Sequence, residues 1–262
     1  MRIGLFDSGI GGFTVLKKVI ELFPNNSFIY LADTERLPYG IKTTNEIKKF
    51  AEEITSWFNC QDIDSLLVAC NTTNAIALNV IKNKLNVPVF DLIESSSSNI
   101  QESRVGVIAT PSTVKTKAYT NAILDFNPKT FVIEQSCPKF VPLIEMDKIK
   151  SEEIIDVAIG YLEPLLKQEI EALILGCSHY PLITPLLSSL LPFDLKLIDP
   201  AEALSLKLKS FMDSKISNFG KKQNLVDLKF YVTSNPEKFA SSVKYWLNVF
   251  PEVNLVSLQK KG

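Results

Sequence analysis

Two of the four cysteines stand in near-repeats of one another. Cys70 is followed by Asn71-Thr72 and Cys177 by Ser178-His179, each directly after a short apolar run. A free thiol has a pKa near about 8.5, so little of it is thiolate at neutral pH. Each of these two is expected at a strand end just before a helix, where Asn, Ser and Thr make good N-caps and Pro181 suits a first turn. The positive end of a helix dipole favours thiolate, and its free N–H groups favour a bound carboxylate. His179, the only histidine in the chain, stands two residues after Cys177 and reads as a proton relay or a substrate contact. Cys60 and Cys137 lack such a context and read as buried small apolar residues. Cys177-x-His179 lacks the compact four-ligand set that zinc requires, so no metal is expected. A redox pair of Cys70 and Cys177, although without C-x-x-C spacing, stays open as an alternative.

Asp7-Ser8-Gly9-Ile10-Gly11-Gly12 follows the first apolar run. A glycine-rich turn can cradle phosphate, but this one lacks the third glycine of the dinucleotide fingerprint, and Asp7 would repel a pyrophosphate. It reads instead as a tight turn that brings backbone N–H groups to a small anion, with Asp7 as a proton-relay partner. Pro38-Tyr39-Gly40 reads as a loop able to close over a ligand.

Positioning these residues requires strands that end at one edge. Apolar runs at 3–6, 27–31, 65–69, 87–90, 105–109, 130–134, 172–175, 195–198 and 229–233 predict strands, several nearly continuous in Val, Ile, Leu and Phe. Helix-period stretches such as 43–58, 152–167 and 239–249 lie between or after them. The alternation predicts an α/β fold with mainly parallel sheets. An internal echo divides it. Residues 2–8 (RIGLFDS) read against 104–110 (RVGVIAT), an offset of 102, and 66–72 (LLVACNT) against 173–179 (LILGCSH), an offset of 107. Two matches in the same order predict two similar three-layer α/β domains related by pseudo-twofold symmetry. The first is expected to comprise 1–94 plus about 207–262, and the second about 95–206. The serine-rich 94–102 marks the boundary, and the polar, lysine-rich 213–227 reads as a surface connection.

Ligands of parallel α/β sheets bind outside the carboxyl ends of the strands. That rule gathers Asp7, Ser8, Cys70, Asn71, Thr110 and 177–179 in a cleft between the halves, one Cys on each wall. It leaves Arg2 and Arg104, at strand beginnings, on the far side.

Composition narrows the chemistry. The chain has 262 residues, 46% hydrophobic and 22% charged, with a net charge of −1, which argues against nucleic acid as a partner. Only three arginines, Arg2, Arg36 and Arg104, stand against 25 lysines. An anionic ligand must therefore rely mainly on N–H groups and hydroxyls rather than bidentate guanidinium clamps. No signal-like or membrane-length apolar run occurs, so a cytoplasmic protein with reduced thiols is expected, with no membrane partner.

Taken together, Asp7-Ser8-Gly9-Ile10-Gly11-Gly12, Pro38-Tyr39-Gly40, Cys70-Asn71-Thr72 and Gly176-Cys177-Ser178-His179-Tyr180-Pro181 resemble the signature stretches of the glutamate racemase family, in order and at fitting spacing. Cys137-Pro138 and Val141-Pro142-Leu143-Ile144-Glu145 are similar to a further family segment. The resemblance runs from residue 3 to about 200. It implies interconversion of L- and D-glutamate without a cofactor, supply of D-glutamate for peptidoglycan, and a homodimer. It also implies that one thiolate removes the Cα proton while the opposite thiol donates one. Asp7 would assist Cys70 and His179 would assist Cys177, with Asp33 and Glu145 as auxiliaries. Substrate contacts would come from Asp7, Ser8, Tyr39, Gly40, Asn71, Thr72, Thr110, Thr113, Ser178 and His179. Two positions depart from the family pattern: Ser178 stands where threonine is usual, and Thr73-Asn74 where smaller residues are commoner. Two other readings stay open on the residues alone: an aspartate racemase or another two-cysteine relative, and a two-lobed amino-acid-binding protein without catalysis.

Overall fold

The structure, a computed structural model, describes residues 1–215 and 227–258. The first half runs β1 (Arg2–Asp7), α1 (Phe13–Leu22), β2 (Ser27–Ala32), α2 (Thr44–Asn59), β3 (Ser65–Val68), α3 (Asn71–Lys84), β4 (Val89–Asp91) and α4 (Leu92–Ser97). The second half runs β5 (Arg104–Ala109), α5 (Pro111–Thr116), α6 (Ala118–Phe126), β6 (Phe131–Ser136), α7 (Phe140–Glu145), α8 (Glu152–Leu166), β7 (Ala172–Gly176), α9 (Thr184–Leu190) and β8 (Lys196–Ile198). Then α10 (Pro200–Lys215) leads back to β9 (Leu228–Val232), α11 (Pro236–Leu247) and β10 (Val253–Leu255).

Among the described residues the strands form two all-parallel sheets, ordered β10-β9-β2-β1-β3-β4 and β6-β5-β7-β8. The shared unit β2-β1-β3-β4 matches β6-β5-β7-β8 strand for strand, so the echo at 2–8 and 104–110 is β1 against β5, and the second echo is β3 against β7. The fold is two three-layer α/β halves.

Alternation along each strand supplies both layers. Ile3, Leu5, Phe28, Tyr30 and Phe230 face α1, α10 and α11. Phe6, Leu31, Leu66 and Val68 face α2 and α3 on the other side. In the second sheet Ile108, Leu173 and Leu175 face α7, α8 and α9, while Val105, Val107 and Ile174 face α6. Each fully buried side chain of this kind stabilises by about 1.5–3 kcal/mol.

Helix starts follow local chemistry. Thr43 caps α2 in a reciprocal box with Glu46, and Ser151 caps α8 by accepting from Ile154 N. The serine-rich boundary is not open loop throughout. Its first residues lie in α4, where Ser95 and Ser96 are buried and donate to the carbonyls of Asp91 (2.5 Å) and Leu92 (2.8 Å).

Several expectations need correction. The polar stretch 213–227 is not all surface connection, because its first residues finish α10; 216–226 lie outside the described residues. The helix expected at 239–249 starts at Pro236, whose fixed φ suits a first turn, and ends before Asn248 in the left-handed conformation. Cys60 is exposed rather than buried, since it caps the C-terminal end of α2 at the surface. The three-residue β10 has no periodic signal of its own.

The return of β9 onto β2 ties 228–255 to the first sheet. Phe230 is fully buried, its ring 5.8 Å from that of Tyr30 and 6.0 Å from that of Phe239. Phe230→Ala is expected to lower the unfolding free energy by about 3–5 kcal/mol in urea titration. A loss below about 1 kcal/mol would mean that this segment adds nothing to the first core.

Candidate active site

β1 and β3 end side by side, Phe6 in register with Val68, and β5 and β7 do the same, Ala109 with Gly176. The residues just past those four ends meet in one cavity. Ser8, Cys70, Asn71 and Thr72 line it from the first half, and Thr110, Cys177, Ser178 and His179 from the second. Tyr39 and Gly40 close it from the connection between β2 and α2, with Leu37 and Val141 as apolar wall. Its volume is about 20 Å³, room for one water. An amino acid needs more room than this. Arg2 and Arg104 lie at the opposite ends of their strands, against Asp62 and the Gln168 carbonyl.

On the first wall Cys70 is the N-cap residue of α3. Burial pushes its thiol up to about 12, and the negative charge of Asp7 adds to the rise; Thr73 and Ser8 act the other way. The Cys70 Sγ lies 3.8 Å from Ser8 Oγ. Asn71 Oδ1 accepts from Tyr119 OH at 2.6 Å, and its Nδ2 is buried without a partner. Thr72 Oγ1 and Thr110 Oγ1 are 3.0 Å apart, bridging the halves, and Thr113 Oγ1 stands 3.0 Å behind Thr110.

On the second wall the Cys177 Sγ is 3.9 Å from His179 Nδ1, and His179 Nε2 is 2.8 Å from Glu145 Oε1. Burial works against an imidazolium here. Even so, the Cys177 sulfur and the Glu145 carboxylate hold the His179 pKa well above the usual histidine value. Glu145, although its burial disfavours charge, is held below the ordinary carboxylate range by the same hydrogen bond. The two shifts agree: His179 and Glu145 form a buried ion pair.

The helix expected directly after Cys177 is absent. A four-residue 3₁₀ turn (Tyr180–Ile183) follows, and the seven-residue α9 begins only at Thr184. Pro185 has no N–H to bond the Pro181 carbonyl, which disfavours an α-helix running through this stretch. Cys177 therefore has an imidazole for a neighbour where Cys70 has a helix.

Asp7 does not contact Cys70 by a hydrogen bond. Its Oδ1 accepts from Ser178 Oγ at 2.9 Å and its Oδ2 from Gly9 N at 3.0 Å. Tyr30 OH fixes the same turn through the Gly9 carbonyl at 2.8 Å. Asp33 stands behind the cavity, held by Arg36 Nε (2.6 Å), Thr233 Oγ1 (2.9 Å) and the Tyr39 hydroxyl. Leu37, Thr73 and Tyr119 escaped sequence reasoning. Each is an ordinary loop or helix residue there, and only the departure at Thr73-Asn74 was a signal.

A groove of about 630 Å³ between α1, α9, α10 and α11 is larger. Of its charged side chains, Lys18 is paired with Asp199 and Glu202, Lys17 and Glu21 also line it, and no thiol does. Among the described residues no group of three His, Cys, Asp or Glu could hold a metal, and no helix is long and apolar enough to cross a membrane.

The fold recurs in solved racemases. A glutamate racemase of Francisella tularensis, in complex with D-glutamate, matches with a TM-score of 0.91 at 36% identity, covering 98% of each chain. The RacE1 glutamate racemase of Bacillus anthracis matches with a TM-score of 0.91 at 29% identity, over 98% of this chain and 97% of that one. Fold and site define an amino-acid racemase. The model of the family described as Asp/Glu/Hydantoin racemase matches residues 10–206. A glutamate racemase of Prochlorococcus marinus strain NATL1A is 76% identical over 262 residues, 100% of this chain and 99% of its own. The chain belongs to the Asp/Glu/Hydantoin racemase family.

With one histidine in the chain, imidazole titration by NMR reports His179 alone. Its pKa rises on folding, so its contribution to stability is complete below the unfolded value near about 6.5 and fades as pH climbs through the folded value. His179 is expected to stay protonated at neutral pH, and Glu145→Gln to lower its midpoint. A midpoint at or below about 6.5 in the parent protein would break the ion-pair assignment.

Proposed function

We propose that the protein interconverts L- and D-glutamate without a cofactor, by two-base proton transfer between Cys70 and Cys177, supplying D-glutamate for peptidoglycan in the cytoplasm. One observation carries this reading: two thiols, from corresponding strand ends of two similar halves, line a single cavity. Relatives named glutamate racemase and a neighbour solved with D-glutamate support the choice of substrate.

In one direction a Cys thiolate takes the Cα proton from one face, and the opposite Cys gives its S–H proton to the other. The Cα–S distances this needs are reached as the halves close on the substrate. The carbanion that forms between the transfers is stabilised by preorganised donors, for which Asn71 Nδ2, Ser8 and the Thr72–Thr110 hydroxyl pair are available. A substrate ammonium beside Cys70 favours its thiolate, offsetting the burial that opposes it. Tyr39 and Gly40 seal the cleft, and Thr113 steadies Thr110.

Each turnover exchanges the protonation of the two sulfurs. A second substrate molecule of the same hand then requires both to be reset. His179, backed by Glu145, serves Cys177 in that step, and Asp7 orders the turn at Gly9 and holds Ser178 across the cleft. Asp33 positions Tyr39.

Cys70→Ala and Cys177→Ala are each expected to lower glutamate racemisation by at least about 10³-fold, with circular dichroism unchanged. Full activity in either variant removes that residue from the mechanism. Faster turnover of aspartate than of glutamate by the parent protein would overturn the substrate.

A further inference from the structure

The start of α3 contains a residue that the two-thiol mechanism does not yet use. An N-cap side chain ordinarily accepts from the N–H groups of the first turn. Here that position holds Cys70, and the third helical residue is Thr73. Thr73 is fully buried, and its hydroxyl has no hydrogen-bond partner, an arrangement folded proteins ordinarily avoid. The hydroxyl and the backbone N–H of Thr73 both lie beside the Cys70 sulfur and favour its charged form. Asn74 Nδ2 pins the same turn by donating to the Val68 and Cys70 carbonyls, 2.7 Å each. Both residues of the Thr73-Asn74 departure therefore serve the setting of Cys70.

We propose that Thr73 is a positioning residue for proton transfer: its hydroxyl, idle while Cys70 keeps its proton, donates a hydrogen bond to the sulfur once the thiolate forms. A neutral S–H is a weak acceptor, whereas a thiolate at a helix N-cap is a strong one. The orphan hydroxyl thus gains its partner only in the reactive protonation state. The other groups facing the sulfur do not supply this. Asp7 at the end of β1, Tyr30 on β2 and Tyr39 before α2 are anionic when ionised and oppose a thiolate. His179 lies across the cavity, engaged with Cys177 and Glu145. Ser8 is a further side-chain donor favouring the Cys70 thiolate.

The inference rests on Cys70 acting as an acid/base group, and the test separates the two. In the full-length protein, iodoacetamide alkylation of Cys70 is followed by peptide mass spectrometry at fixed pH below the thiol pKa, where the rate tracks the thiolate fraction. Thr73→Val keeps the shape and removes the hydroxyl; Thr73→Ser keeps the hydroxyl. Val is expected to slow Cys70 alkylation about tenfold, a rise of about one pKa unit. It should also move the thiol limb of the kcat/KM profile upward by the same amount, while Ser stays near the parent. Thr73→Ala serves equally should Val disturb the helix. Alkylation rates and pH limbs equal to the parent's in both hydroxyl-free variants would overturn the proposal, as would an equal shift in Ser. Full racemisation by Cys70→Ala would instead overturn the role of Cys70 itself.

Discussion

A thiolate in a closed, nearly dry cleft is costly, and the two cysteines of this protein meet that constraint in different surroundings. The two halves repeat one topology, so equivalent strand ends deliver equivalent sulfurs. Their surroundings are not equivalent. Cys70 caps a 14-residue helix and is flanked by hydroxyls, whereas Cys177 sits by an imidazole held in an ion pair with Glu145. In the mechanism proposed above, the repeated topology would supply the two facing sulfurs, each in surroundings of its own.

Bringing the walls together also demands space. A β-carbon on Gly11 would lie 2.8 Å from the backbone nitrogen of His179, and one on Gly40 would lie 2.6 Å from Thr110 Cβ. Neither glycine has a positive φ, so both are needed for room across the cleft rather than for an unusual turn. Gly11 of the Asp7–Gly12 stretch thus serves the opposite half as much as any bound anion. Asp7 has the same double character: it bonds Ser178 across the cleft while its charge disfavours the Cys70 thiolate.

Strands were the most legible feature, because parallel strands covered on both faces read as continuous apolar runs. The echo was legible for the same reason, and it located both cysteines at strand ends. Features set by single tertiary contacts were not. Pro181 looked like a helix start, but it opens a 3₁₀ turn, and the α-helix begins only at Thr184, just before Pro185. Asp33, an auxiliary by resemblance alone, is held behind Tyr39 by three partners that no local pattern announces. The orphaned Nδ2 of Asn71 depends on Tyr119 from the other half, a pairing that neither local sequence contains.

Following the label during racemisation of L-glutamate in deuterium oxide, stopped at the first few per cent of conversion, tests most directly whether the sulfurs address opposite faces of one carbon. With two bases, the D-glutamate formed carries deuterium at Cα while the recovered L-glutamate keeps its protium. Deuterium appearing equally in both enantiomers from the earliest turnovers would mean that one base serves both faces, and would contradict the account.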